Sequence, residues 1–101
     1  MTSRERLAAF PDLPTLAESG LPGYESSQWY GLLAPAGTPR ELLDFLSARA
    51  MKIMRTPQMK ARMTHDGLVA IGSTREEFAA HLRAEGEKWA RVIRASGASV
   101  D

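Results

Sequence analysis

Residues 27–41, SQWYGLLAPAGTPRE, hold the two signals that decide the fold. In the first half, Trp29, Tyr30, Leu32 and Leu33 leave neither face of an extended segment polar. That pattern predicts a strand over 27–35 covered on both sides, as in α/β proteins, rather than one half-solvated in an antiparallel sheet. Gly31 in its middle predicts a bend or a close approach to the backbone. Trp29 and Tyr30, being adjacent, point to opposite faces, so one can belong to the core while the other lines a cleft. In the second half, Pro35, Gly37 and Pro39 end the strand, and Thr38-Pro39-Arg40-Glu41 predicts a helix start. Thr38 is the expected N-cap, Pro39 takes N1, and Glu41 at N3 closes a capping box.

Beyond this point the pattern is helical. Leu42 or Leu43, Leu46, Ala50 and Ile53 or Met54 recur with a 3.6-residue period. Thr56-Pro57 stops this helix and starts another, which runs through Met59 and Met63 to His65-Asp66-Gly67, with Gly67 suited to C′. Leu68 to Ile71 predicts a short second strand. Thr74-Arg75-Glu76-Glu77 is another capping-box signature, opening a last helix from about Arg75 to Ser96. Its expected inner stripe is Phe78, Leu82, Glu85 or Gly86, Trp89, Val92 and Ile93, and Gly97 stops it. Before residue 27 the chain reads as a connector: Pro11, Pro14 and Pro22 each disfavour helix in the residue before them. Pro14 to Ser19 can still form one turn closed by Gly20.

With 101 residues the chain is about one small domain. Its 44% hydrophobic and 25% charged residues fit a globular protein and exclude disorder. The net charge of +1 gives no electrostatic reason to expect nucleic acid. Arg40, Arg49, Lys52, Arg55, Lys60 and Arg62 scatter around two helices without an aromatic ladder, which reads as a solvated face. The absence of Cys excludes disulfides, thiolate metal sites and a cysteine nucleophile. No run approaches the ~20 apolar residues of a membrane span. The first ten residues, MTSRERLAAF, carry no apolar core of a secretion signal.

Catalytic patterns are missing. His65 and His81 do not have metal-ligand spacing, no serine sits in a Gly-x-Ser-x-Gly elbow, and neither G-x-G-x-x-G nor a Walker loop occurs. His81 is expected to be solvated. Glu76 and Glu77 are better explained as partners of a helix N-terminus than as paired catalytic carboxylates. No enzyme, metal or cofactor is indicated.

The run PDLPTLAESGLPGYESSQWYGLLAPAGTP, residues 11–39, resembles the carboxyl-terminal part of the substrate-binding receptors of tripartite tricarboxylate transporters, the Bug proteins. An Arg (Arg4 or Arg6), then Pro11-Asp12, Pro14-Thr15, Glu18, Gly20, Pro22-Gly23-Tyr24, Trp29, Gly31, Ala34-Pro35 and Gly37-Thr38-Pro39 follow the family pattern in order. Gly72 to Thr74, Glu76 to Phe78, Trp89 and Gly97 match its last helix. The resemblance implies a helix-rich α/β fold, the C-terminal fragment of a lobe of a type II periplasmic binding protein. Residues 1–26 would be connector, 27–35 strand, and 38–101 helices with a short strand near 68–71. It implies two lobes closing on a small carboxylate held largely by backbone N–H groups, hydroxyls and water, and delivery to membrane subunits in the periplasm. The candidate ligand-binding residues are Ser27, Trp29 and Tyr30, on the segment leading to the cleft. Since the family's amino-terminal two thirds have no counterpart here, two alternatives stand beside the receptor reading: a stand-alone helical interaction module, and a truncated product that binds no solute. Exposed lobe surface could also drive homo-oligomerisation.

Overall fold

Local capping chemistry places the helices. The computed structural model describes residues 1–100 and contains α1 (Arg40–Met54), α2 (Pro57–His65) and α3 (Arg75–Ser96). Thr56 Oγ1 accepts from the Met59 N–H, and Thr74 Oγ1 accepts from the Glu77 N–H, so both hydroxyls satisfy a first-turn donor as predicted. At the other end of α2, the Gly67 N–H bonds the Thr64 carbonyl and the Leu68 N–H the Met63 carbonyl. This is a Schellman closure, and it needs the positive φ of 73° at Gly67. Gly97 closes α3 in the left-handed region.

The start of α1 departs from expectation. Pro39, not Thr38, occupies the N-cap position, and no side chain caps the helix. The Thr38 hydroxyl instead donates to the Pro35 carbonyl at 2.7 Å. A box begun one residue too early cannot aim at the third helical N–H, so the hydroxyl finds the preceding turn.

The strands at 27–35 and 68–71 are corrected as well. Among the described residues no β-ladder forms, and neither segment belongs to a helix. A strand is a pairing, and the chain lays no second strand alongside either segment.

Consequently the described residues build no core of their own. Among the described residues no hydrophobic side chain is fully buried, and the exposed area is 8508 Å². A folded monomer of this size would expose about 5,700 Å². The radius of gyration is 16.6 Å, against about 13 Å for a compact domain of this length. The inner stripe of α1 falls on Leu43, Ala50 and Met54, half-buried, while Leu42, Phe45, Leu46 and Ile53 are exposed. On α3, Phe78, Leu82 and Glu85 are half-buried, whereas Trp89, Val92 and Ile93 of the predicted stripe are exposed.

Candidate functional site

Two side-chain clusters shape the approach to residues 27–33. The first is a latch in the connector. Thr15, the only buried polar residue described, sits at the start of the turn 16–20. Its Oγ1 accepts from the Glu18 N–H at 3.2 Å, while Glu18 Oε2 accepts from the Thr15 N–H at 2.8 Å. This reciprocal pair is a capping box. The Glu18 carboxylate also takes a two-pronged bond from Arg6, Nε to Oε2 at 2.9 Å and Nη2 to Oε1 at 3.0 Å. Arg6 Nη1 donates to the Pro11 carbonyl. The Arg6 guanidinium and then the Thr15 N–H hold the Glu18 carboxyl down at about 2, and Glu18 in return raises Arg6. Nearby, the Leu16 N–H bonds the Met1 carbonyl, and the Ser26 N–H bonds the Thr2 carbonyl at 2.8 Å. The latch and these bonds tie Met1, Thr2 and Arg6 to 15–20 and Ser26, immediately before the candidate ligand-binding residues.

The second cluster fastens the next few residues to α3. Lys88 Nζ donates to the Glu25 carbonyl at 2.8 Å. The Trp29 ring meets Phe78 edge-on with centroids 5.6 Å apart, and His81 at 5.0 Å. Phe78 and His81 stack at 6.3 Å. His81 is thus exposed as expected, yet one face of its ring is engaged. Glu85 Oε2 accepts the Trp89 indole N–H at 2.8 Å and the Trp29 indole N–H at 3.4 Å. These N–H donors, Trp89 foremost, with Lys88 and His81 nearby, lower the Glu85 carboxyl against the opposing effect of burial. At Gly31 the backbone lies against the Phe78 side chain of α3: a Cβ there would overlap the tip of the Phe78 ring at Cζ. The close approach expected at this glycine is real.

The three candidate ligand residues are therefore placed differently. Trp29 turns its ring and N–H to α3 and is 37% exposed. Tyr30 lies open at 78%, its hydroxyl accepting from Gln28 Nε2 at 3.1 Å. Ser27 is exposed. The surface also carries two hollows. One, of about 210 Å³, lies between Leu7 to Ala9 and Lys60, Thr64 and Leu68 to Ala70. The other, wide open, lies over Arg4, Arg6, Glu18 and Gly23.

Sequence reading missed the latch pairing and the role of Glu85. The signal for the first was present: Thr15-Leu16-Ala17-Glu18 has the same Thr-x-x-Glu spacing as residues 74–77. Glu85 showed only as a carboxylate interrupting an apolar stripe.

The family model for the tripartite tricarboxylate transporter family receptor matches residues 1–98. The chain is 35% identical over 94 residues to the UPF0065 protein in the tcbD-tcbE intergenic region of Pseudomonas sp. (strain P51), covering 92% of this chain and 28% of that one. It is 26% identical over 98 residues to BugT of Bordetella pertussis, covering 97% and 30% respectively. Among solved structures, R. palustris Rpa4515 with adipate superposes with a TM-score of 0.82 at 29% identity, over 95% of this chain and 32% of that one. The periplasmic binding protein BugD superposes with a TM-score of 0.80 at 32% identity, over 95% and 33%. The chain spans about a third or less of the length of each. The fold is that of part of a periplasmic binding protein lobe.

Proposed function

Because this chain belongs to the tripartite tricarboxylate transporter receptor family, we propose that it serves as the carboxyl-terminal part of a lobe in a periplasmic receptor that binds a small carboxylate and presents it to the membrane subunits of a transporter. The observation that carries the solute class is the 0.82 TM-score over 95% of the chain with Rpa4515, a protein solved with adipate. The work done is binding and delivery, without a reaction. A ligand that contacts both lobes favours the closed form by its differential affinity, and closure is what a membrane partner can sense. Backbone N–H groups and hydroxyls can hold an anion without a buried cation.

In this reading Ser27 and Tyr30 contribute hydroxyls at the cleft side. Trp29 borders the ligand with the edge it does not give to α3. The latch and the ring cluster fix the path of the segment that carries all three. The stand-alone interaction module is the weaker alternative, because nearly the whole chain superposes on one part of each receptor.

The test is a chimera of Rpa4515 whose carboxyl-terminal third is replaced by residues 1–98 of this chain. Adipate is expected to raise the melting temperature of the chimera, with Rpa4515 itself measured alongside as the control. The Ser27→Ala and Tyr30→Phe variants should reduce that shift. A folded chimera that ignores adipate and a panel of di- and tricarboxylates, beside a responding parent, would sink the proposal.

A further inference from the structure

We infer that residues 30–33 and 68–71 form a docking surface for the amino-terminal two thirds of a receptor of the same family, and that the two pieces associate even when supplied as separate chains. Four observations carry this. Tyr30, Leu32 and Leu33 are 78%, 86% and 78% exposed, and Val69 and Ile71 are 66% and 71% exposed. Such exposed apolar segments, which form no β-ladder among the described residues, are templates for strand addition. The segment through residue 31 is covered on one side only: Trp29 and Gly31 lie against Phe78 of α3, while Tyr30 and Leu32 face outward. Among the described residues it has neither neighbouring strands nor a second covering layer, the surroundings of a strand buried on both faces. The 8508 Å² exposed exceeds that of a compact monomer by about 2,800 Å², an area on the scale of obligate interfaces. Finally, the backbone follows the path it takes in two receptors about three times as long, although it has no core of its own to hold that path.

A second copy of this chain would meet these needs poorly. It offers the same unpaired segments and three helices, so a symmetric pair could match one edge of each segment and leave the outward face of Tyr30 and Leu32 uncovered. The need for cover rests on burial alone; the identity of the partner rests on the receptor reading above.

The experiment co-expresses this chain with the amino-terminal two thirds of Rpa4515, each separately tagged. Light scattering and hydrogen exchange then follow the soluble material. A 1:1 complex is expected, in which amides of 30–33 and 68–71 exchange at least roughly tenfold more slowly than in the chain alone. Leu32→Asp should weaken the complex roughly tenfold or more while leaving the helical circular dichroism of the isolated chain unchanged. Three outcomes would each overturn the inference: a partner that stays insoluble or separate in the presence of this chain, a self-dimer that already protects 30–33, or a complex indifferent to both Leu32→Asp and Ile71→Asp. Titrating the purified complex with adipate separates the two proposals. A complex that forms but does not bind adipate counts against the receptor reading and leaves the docking surface standing.

Discussion

The connector around Glu18 and the segment 30–33 are about a dozen residues apart and solve opposite problems. In the connector, Thr15, Glu18 and Arg6 satisfy one another within a stretch of thirteen residues. The segment 30–33 is apolar, yet Tyr30, Leu32 and Leu33 stay 78%, 86% and 78% exposed. Polar groups close locally because a hydrogen bond needs one partner at a fixed distance, whereas an apolar strand needs neighbours on two edges and two faces. Part of a lobe can therefore have finished turns and caps beside an unfinished core.

The strongest way to break this contrast is to attack the contact of 27–33 with α3 where it is tightest for an added side chain, at Gly31. Gly31→Val would drive a side chain into the Phe78 ring. The expected cost is about 1–3 kcal/mol, the usual penalty for overpacking, read by urea unfolding of the Rpa4515 chimera. Shortening the obstacle with Phe78→Ala in the same chain should recover part of the loss beyond additivity. A Gly31→Val chimera as stable as its parent would mean that the close approach does not matter.

Next in size is Thr15→Ala. It removes the acceptor for the Glu18 N–H at a buried position while leaving the Glu18–Arg6 pair in place. The loss of such a cap is expected to cost about 1 kcal/mol. It should appear as faster amide exchange confined to residues 16–20. Faster exchange spread over 27–33 as well would show that latch and strand segment are less independent than their contacts indicate.

How much of this was legible follows the same division. The ends of α2 and α3 were readable because Thr56, Thr74, Gly67 and Gly97 act on groups within four residues of themselves. The opposite directions of Trp29 and Tyr30 were readable from strand parity, and the closeness at Gly31 from its missing side chain. That 27–35 and 68–71 form no ladder among the described residues was not readable, because pairing depends on what lies beside a segment and not on its own residues. Glu85 as the shared acceptor of two indoles was hidden for a related reason: Trp29 and Trp89 converge on it from positions 60 residues apart in the sequence. The local rule itself misfires at Thr38, where a Thr-x-x-Glu spacing is present but the helix begins after Pro39.

That misfire can be measured. Thr74→Ala should cost about 1 kcal/mol, since its hydroxyl caps α3. Thr38→Ala loses only an exposed bond to Pro35, and its cost should stay within about 0.5 kcal/mol. Both are to be compared in the chimera by denaturant unfolding. Equal costs would restore Thr38 to the capping role that its sequence context predicts.

The smallest expected effect is the pH response of the latch, and its sign is fixed by the direction of the Glu18 shift. The carboxyl is held at about 2 in the folded loop against an ordinary value of 4.5, by Arg6 first and the Thr15 N–H second. Between those values the folded loop binds fewer protons than the unfolded one, so the stabilisation is fully present above the unfolded value and drains away as pH falls toward 2. Both partners are nearly half exposed, with side-chain accessibilities of 42% and 47%, so salt should shrink the contribution. Carboxyl chemical shifts of Glu18 followed from pH 7 to pH 2 should therefore titrate far below the ordinary 4.5. Glu18→Gln should flatten the acid dependence of exchange at 16–20. A Glu18 titration near 4.5 would show that the two-pronged bond is transient in solution, and the local closure that sets this loop apart from 30–33 would then rest on Thr15 alone.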